Sequence, residues 1–373
     1  MDGNEPALQA LIDQVGRARG ERRGLVIRGG GTKAFYGEPS TGEALETLDA
    51  TVLTGTPAYE PTELVVTTRC GTSLSELEAL LANEGQCLPF EPPRFGAAST
   101  VGGMIAAGLS GPSRAAVGSV RDHVLGATIL DGRGEVLSFG GQVIKNVAGY
   151  DVSRLMVGAL GTLGLVLEVS LKVLALPRAS RTLRFELDQA AALERLHGWG
   201  GLPLPLDASA WWDGNLLVRL RGAEAAVSSA VIRLGGEAVE DGAAAAFWTG
   251  LRDHADDYFV RARQVAERGG ALWRLGVPQT APPLDLAGET LLEWHGAQRW
   301  LIGSLPAADV RAAAAAVGGH ATRFYGAGGA GGSRIFEGVF TPLASPLDRI
   351  HLGLKRSFDP DGIFNPGRLC AGL

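Results

Sequence analysis

The chain has 373 residues, of which 46% are hydrophobic and 20% are charged, and its formal net charge is −6. This length and composition indicate two globular domains. The acidic balance argues against a nucleic-acid partner, which would favour a basic patch.

Glycine is in excess, with 54 residues in the chain, about twice the usual share of ~7%. The glycines cluster at 29–31, 102–111, 132–149, 158–164 and 326–332. Clusters of this kind bring the backbone close to a ligand or turn it sharply.

The cysteines Cys70, Cys87 and Cys370 are isolated and form no zinc or iron–sulfur ligand set, so we expect no metal site. The first residues carry no signal-peptide pattern. The most apolar stretch, 160–176, is interrupted by charges and is shorter than the ~20 residues of a membrane-spanning helix. We therefore expect a cytoplasmic protein, with peripheral association at the inner membrane through partners as an open alternative.

The first half of the chain alternates predicted helices and strands. Residues 8–18 predict a short helix, 25–27 a buried strand and 64–68 a second strand. Ser73 followed by Glu76 predicts a capping box at the start of a leucine-rich helix.

Further along, strands are predicted at 124–130 and 135–139, on either side of a hairpin turn, and at 163–174. Pro177 closes this half, which places a domain boundary near residue 178.

The second half predicts a ferredoxin-like β-α-β-β-α-β unit. Its elements are a strand at 183–187, a helix at 189–197, a hairpin at 208–220, a helix at 223–234 and a strand at 236–240. A second, weaker unit over 271–325 is possible, although the two sequences hardly match.

The first candidate binding segment is Arg28-Gly29-Gly30-Gly31-Thr32-Lys33, directly after a strand. Consecutive glycines can point their N–H groups into one anion-binding nest, and the two flanking cations would add positive charge. A pyrophosphate would fit there. A glycine-rich turn without a ligand is the alternative.

The second segment is Ser99-Thr100-Val101-Gly102-Gly103-Met104-Ile105-Ala106-Ala107-Gly108. Its small side chains would let a flat ring lie on the backbone. Ser99 or Thr100 could cap a helix whose free N–H groups would bind an anion. Tight packing of the helix is the alternative.

A third segment, 140–151, carries Lys145 and Asn146, which could hydrogen-bond the edge of a cofactor. Just beyond it, glycines recur every third residue around Thr162 and would leave bare backbone on one face of a turn. The GxGxxG match at 326–331 has no helical pattern after it and predicts a flexible loop.

In this order and spacing, the segments resemble the FAD-binding domain of the vanillyl-alcohol oxidase and p-cresol methylhydroxylase (PCMH) family. The resemblance covers 20–178 and the tail from Phe358-Asp359-Pro360 to Asn365-Pro366-Gly367-Arg368. Within the family, the strings at 89–93 and 145–151 and this tail are similar to FAD-binding subunits of bacterial glycolate oxidases.

The resemblance implies an α+β fold with a two-subdomain PCMH-type FAD-binding domain at 1–178. A smaller antiparallel α+β cap domain with ferredoxin-like units would occupy 179–330, and 331–373 would return to the FAD domain. Covalently flavinylated relatives have a histidine after the first glycines, where this chain has Thr32, so non-covalent FAD is implied. The expected cofactor-binding residues are Arg28, Gly29, Gly30, Gly31, Thr32, Lys33, Ser99, Thr100, Gly102, Gly103, Lys145, Asn146, Gly161, Thr162 and Asn365.

The resemblance also implies oxidation of glycolate, with D-lactate as a further substrate, in a complex with an iron–sulfur subunit and a second flavin-binding subunit. Three roles stay open for the chain. It would oxidise the substrate itself within the complex, it would only carry FAD for assembly or electron transfer, or it would be a stand-alone oxidase. Oxidation needs a base for the hydroxyl proton and a cation for the carboxylate. The candidates are His295, Tyr325, Arg334, His351, Arg274 and Arg323.

Overall fold

The computed structural model describes residues 5–42, 45–141, 151–326 and 338–370. The strands are β1 (Gly24–Arg28), β2 (Leu45–Asp49), β3 (Ala58–Glu60), β4 (Val65–Arg69), β5 (Gln86–Cys87), β6 (Val124–Leu130), β7 (Val136–Gly140), β8 (Leu165–Lys172), β9 (Leu174–Ala175), β10 (Ala179–Glu186), β11 (Leu206–Trp212), β12 (Asn215–Gly222), β13 (Glu237–Ala238), β14 (Ala271–Gly276), β15 (Glu289–Glu293), β16 (Gln298–Gly303) and β17 (His320–Tyr325). The helices are α1 (Pro6–Glu21), α2 (Leu74–Asn83), α3 (Val101–Ala107), α4 (Arg114–Val117), α5 (Val120–His123), α6 (Val152–Leu155), α7 (Gln189–Gly200), α8 (Glu224–Leu234), α9 (Asp241–Asp253), α10 (Asp257–Glu267), α11 (Ala307–Ala316) and α12 (Leu347–Phe358).

The chain divides into two compact units, and the first is built from residues 1–109, 119–176 and 342–373. Its main sheet is antiparallel, with the strand order β3-β4-β8-β6-β7. The parallel pair of β1 and β2 belongs to the same unit.

Helix α1 forms because apolar residues recur on one face at Leu8, Leu11 and Val15, and this face is buried. It shares a core with Leu25 of β1 and with Phe364. Leu25 and Phe364 also form a parallel β-bridge, so the C-terminal tail runs beside β1.

Helix α2 lies where the sequence predicts it, but its start differs. The Ser73 side chain makes no capping hydrogen bond, because its hydroxyl pairs with that of Ser75 at 2.7 Å. The predicted capping box of Ser73 and Glu76 is therefore wrong. The predicted apolar face is buried at Leu74, Leu77 and Leu81.

The second unit is built from residues 110–118 and 177–341. Its antiparallel sheet has the order β13-β10-β12-β11-β15-β16-β14-β17. The first four strands, numbered by their place in the chain, follow the order 4-1-3-2, and the last four follow the same order in reverse. The predicted ferredoxin-like unit is confirmed, and its weaker repeat has the same strand order.

The sequence patterns did not predict β15, α9 or α10. Strand β15 is short and has a glutamate at each end, so it lacks the alternating pattern of a half-buried strand. Only its pairing with β11 and β16 defines it.

Residues 110–118 leave the first unit and are held in the second by a buried polar group. Arg219 pairs with Asp207 at 2.5 Å, and the Ser113 hydroxyl donates to the same carboxylate at 3.1 Å. The predicted domain scheme assigned 110–118 to the FAD-binding domain, and it ended the cap at 330 rather than 341. Local patterns could not reveal either difference, because both depend on contacts distant in sequence.

Within the described residues, no helix is both long and apolar enough to cross a membrane.

Candidate cofactor-binding site

A cavity of about 260 Å³ opens in the first unit, where β1 runs into the glycine loop. Its walls come from 26–36, the first turns of α3, the turn at 160–161 and the C-terminal tail. Segments far apart in sequence therefore meet around one space.

The glycines of the first loop allow it to lie directly against the segment before α3. A Cβ atom at Gly30 would lie 1.5 Å from the Ala98 carbonyl oxygen, and one at Gly29 would lie 2.5 Å from Thr100 Oγ1. Within the described part of the chain, the N–H groups of residues 29–31 donate no hydrogen bond. The loop thus presents free donors to the cavity, as an anion nest requires.

The two cations beside these glycines have different roles. Arg28 is exposed, and its guanidinium makes no hydrogen bond to any described residue. Lys33 instead donates to Ser99 Oγ at 2.7 Å and to the Arg94 carbonyl at 3.4 Å. Arg28 is therefore the cation available to an anion, whereas Lys33 fixes the neighbouring loop.

Helix α3 begins as predicted, with Thr100 as its N-cap and Thr100 Oγ1 accepting from the Gly103 N–H at 3.2 Å. Its first N–H groups are already used, since Val101 donates to the Thr72 carbonyl and Gly102 to the Cys70 carbonyl. The predicted free donors are therefore absent from 101–103. Gly102 serves close packing instead, because a Cβ there would lie 2.9 Å from Cys70.

Asn365 connects two walls of the cavity. Its side chain accepts from the Ile27 N–H at 2.8 Å and donates to the Leu160 carbonyl at 2.6 Å. Gly161 has a left-handed φ of 71°, and a Cβ there would meet the Asn365 amide at 2.6 Å. Both ends of the Asn365 amide are thus engaged, and the residue positions the walls.

A buried ion pair holds the tail in place. Lys355 Nζ donates to Asp359 at 2.7 Å, to the Thr162 carbonyl at 2.7 Å and to the Phe364 carbonyl at 2.9 Å. The Asp359 carboxylate also accepts from the N–H groups of Ile363 and Phe364. This Lys355–Asp359 clamp accounts for the aspartate in the Phe-Asp-Pro string at 358–360.

The structure brings most of the predicted cofactor-binding residues to the cavity wall. Those that line it are Arg28, Gly29, Gly30, Gly31, Thr32, Lys33, Thr100, Gly103, Gly161 and Asn365. Ser99, Gly102 and Thr162 lie behind the wall, and Lys145 and Asn146 fall outside the described residues. The cavity is also lined by Tyr36, Ala106, Ala107 and Arg368, which were not among the predicted binding residues, although Ala106 and Ala107 belong to the small-residue segment 99–108.

The catalytic candidates fall in both units. His351 lies half-buried on α12 in the first unit, whereas His295, Tyr325, Arg274 and Arg323 lie in the second. Burial raises the pKa of Tyr325 to about 12, so its phenol stays neutral. Burial lowers the pKa of His295, whose Nε2 is buried without a hydrogen-bond partner among the described residues. Arg334 and most of the GxGxxG segment are outside the described residues.

Within the described residues, no group of three or more histidine, cysteine, aspartate or glutamate side chains could hold a metal ion. The second unit does contain a buried carboxyl, Glu293. It accepts from Trp300 Nε1 at 2.5 Å and from Gln298 Nε2 at 2.9 Å. Burial raises its pKa from 4.5 to about 7, against the lowering effect of these hydrogen bonds and of Arg274.

We expect the stability of the chain to fall as the pH rises from about 5 to about 8 through this group. The folded-state pKa lies above the unfolded value, so the folded state binds the proton more tightly and is favoured at low pH. The shift corresponds to on the order of 3 kcal/mol above both pKa values. Glu293→Gln should flatten this dependence and raise the melting temperature at about pH 8. The exposed Glu237→Gln variant is the control, and equal pH profiles for all three proteins would contradict the prediction.

Comparison with known proteins identifies the family. A family model described as an FAD binding domain matches residues 7–140. Over 365 residues the chain is 46% identical to glycolate oxidase subunit GlcE of Escherichia coli (strain K12), covering 98% of each chain. The chain belongs to the GlcE family. It is thus a member of the FAD-binding oxidoreductases, and FAD is its cofactor.

Other relatives share only part of this GlcE-family chain. Glycolate oxidase subunit GlcD of Bacillus subtilis (strain 168) is 33% identical over 120 residues, which cover 32% of this chain and 25% of GlcD. The mitochondrial D-lactate dehydrogenase (cytochrome) of Arabidopsis thaliana is 25% identical over 175 residues, covering 47% of this chain and 30% of that enzyme. The chain thus spans about a quarter to a third of these two relatives.

A solved structure of alkyldihydroxyacetonephosphate synthase matches with a TM-score of 0.64 at 14% identity, covering 96% of this chain and 75% of that one. At this identity the likeness shows the fold alone. The predicted α+β, PCMH-type fold class is confirmed.

Proposed function

We propose that this chain carries FAD non-covalently as a subunit of a complex that oxidises glycolate, and also D-lactate, to the 2-oxo acid. The observation that carries the proposal is the cavity beside the glycine loop, where free N–H groups at 29–31 and the Arg28 guanidinium converge. When bound, FAD supplies the hydride-accepting chemistry that oxidation of a CH–OH group requires.

The cavity wall fits the diphosphate part of FAD. The glycine N–H groups would donate to its oxygens, and Arg28 would offset its charge. Ala106 and Ala107 leave room on the α3 side of the cavity. Lys33 and Asn365 would act indirectly, by fixing the loops that form the wall. Lys145 and Asn146 stay in the proposal on the family resemblance.

A covalent link between the glycine loop and the flavin would require a nucleophilic side chain in that loop. Thr32 stands where covalently flavinylated relatives have a histidine, and a threonine hydroxyl is a poor nucleophile without an adjacent base. The flavin should therefore be released intact when the protein is unfolded.

Electrons from the flavin would pass to partner subunits, one carrying iron–sulfur clusters and one carrying a second flavin. The GlcE relationship supports this part, because that relative is itself a subunit. Membrane association, in this proposal, runs through the partners. Purification of the tagged chain from its native cells should recover both partners, and recovery of an active single chain would contradict the complex.

The function is tested on the purified chain by its visible spectrum, by acid precipitation, and by anaerobic addition of glycolate. We expect a flavin spectrum, yellow colour released into the acid supernatant, and bleaching by glycolate. Flavin that stays with the precipitate would contradict non-covalent binding. If glycolate does not reduce the bound flavin, either in the chain alone or in the reconstituted complex, the chain is an FAD-carrying assembly subunit and not the oxidising one.

A further inference from the structure

Between β15 and β16, three consecutive residues have left-handed backbone conformations. Their φ angles are 51° at Trp294, 57° at His295 and 91° at Gly296. For a bulky side chain such as tryptophan this conformation is rare and unfavourable. Such strain persists only where the surroundings enforce it, and it concentrates at functional sites.

The surroundings of this turn do enforce it. The Trp294 indole N–H donates to the Gly111 carbonyl at 2.9 Å, and the His295 backbone N–H donates to Ser209 Oγ at 2.9 Å. The buried Arg299 donates from Nε to the Gly296 carbonyl at 3.1 Å. The turn therefore holds the Trp294 ring in one orientation.

Two guanidinium groups lie against that ring. Arg114 is 4.3 Å from the Trp294 ring centroid and Arg274 is 5.3 Å from it. Burial lowers the pKa of His320, and the positive charges of Arg274 and Arg114 lower it further.

Arg274 is held by one edge only. Its Nε donates to Gln298 Oε1 at 2.7 Å, and Gln298 in turn donates to Glu293 at 2.9 Å. Within the described part of the chain, the two terminal nitrogens of Arg274 donate to no group. A guanidinium oriented in this way presents a two-pronged donor, which matches a carboxylate.

We propose that Trp294, Arg114 and Arg274 form a binding site for the carboxylate of a small hydroxy acid. Arg274 binds the carboxylate through its terminal nitrogens, Arg114 adds charge, and Trp294 is the rigid wall on which both cations lie. The class of acid rests on the proposed function, whereas the anion site rests on this geometry alone.

Oxalate is the probe, because it carries carboxylates but has no CH–OH group to oxidise. It is titrated into the FAD-loaded full chain while tryptophan fluorescence is recorded. We expect a saturable change that ethylene glycol does not produce. Arg274→Gln should raise the oxalate Kd at least ~10-fold, the usual effect of losing a charge-assisted pair. The oxalate Kd of Arg274→Lys should lie between those of the wild type and Arg274→Gln. Trp294→Phe should remove most of the fluorescence change.

Arg261→Gln is the matched control, because Arg261 also lies over a tryptophan of this unit, at 5.9 Å from Trp212, but is exposed. It should bind oxalate like the wild type. Equal oxalate affinities in the wild type and Arg274→Gln would overturn the proposal. It would also be overturned if Arg261→Gln lost as much oxalate affinity as Arg274→Gln. Each variant is first checked for bound flavin and for its melting temperature, and Arg274→Lys serves if Arg274→Gln does not fold.

Anaerobic glycolate separates this site from the function itself. If glycolate fails to bleach the wild-type flavin while oxalate still binds through Arg274, the proposed function fails and the anion site stands. If glycolate bleaches the wild type and Arg274→Gln with the same KM, the function stands and the site is wrong. The expected result is bleaching in both, with a KM at least ~10-fold higher in the variant.

Discussion

Gly30→Ala is expected to yield a chain that purifies without bound flavin. The new Cβ would lie 1.5 Å from the Ala98 carbonyl oxygen, so one of two backbone segments must move. Overpacking of this kind costs about 1–3 kcal/mol or more, and each ~1.4 kcal/mol lowers affinity tenfold. We expect FAD affinity to fall by ~10- to 100-fold, measured by flavin-to-protein ratio and by FAD titration.

Gly20→Ala is the control for this substitution. No atom lies within 4 Å of a Cβ at Gly20, which is in helix α1 of the same unit. This variant should keep its flavin and gain about 0.5–1 kcal/mol from the better helix former. A Gly30→Ala chain with wild-type FAD content would show that the glycine loop does not form the cofactor wall.

Lys355→Met is expected to destabilise the first unit and weaken FAD binding together. The Lys355 side chain is 6% exposed and its Asp359 partner 0% exposed, so the substitution leaves a buried carboxylate without its cation. Removing one partner of such a pair typically costs about 3–5 kcal/mol. Because the same lysine holds the carbonyls of Thr162 and Phe364, the walls beside Gly161 and Asn365 should loosen.

Denaturant unfolding and FAD titration together test this prediction. Arg19→Met is the control: it breaks the exposed Arg19–Asp361 pair, whose side chains are 39% and 48% exposed, and should cost less than about 1 kcal/mol. Equal unfolding free energies for the two variants would contradict a structural role of the clamp. Destabilisation without any change in FAD affinity would show that the clamp does not position the cavity.

The sequence by itself determined the parts of the protein that depend on neighbouring residues. Glycines 29–31 directly after a strand predicted a loop with close backbone packing, because a Cβ at Gly29 or Gly30 would clash with 98–100, and Thr100 predicted the start of α3. The alternating and helical patterns of 183–240 were sufficient for the first ferredoxin-like unit. The order of these segments was sufficient for the fold family.

Only the tertiary structure decided what distant segments do to one another. In the folded chain, the N–H groups of residues 101 and 102 donate to the carbonyls of residues 72 and 70. Residues 110–118 belong to the second unit, where the buried Arg219–Asp207 pair holds them. The tertiary structure also made Lys355 a buried clamp, although its place on an amphipathic helix gave no such indication. The physical reason is the same each time: a buried polar group must find a partner, and that partner can lie anywhere in the chain.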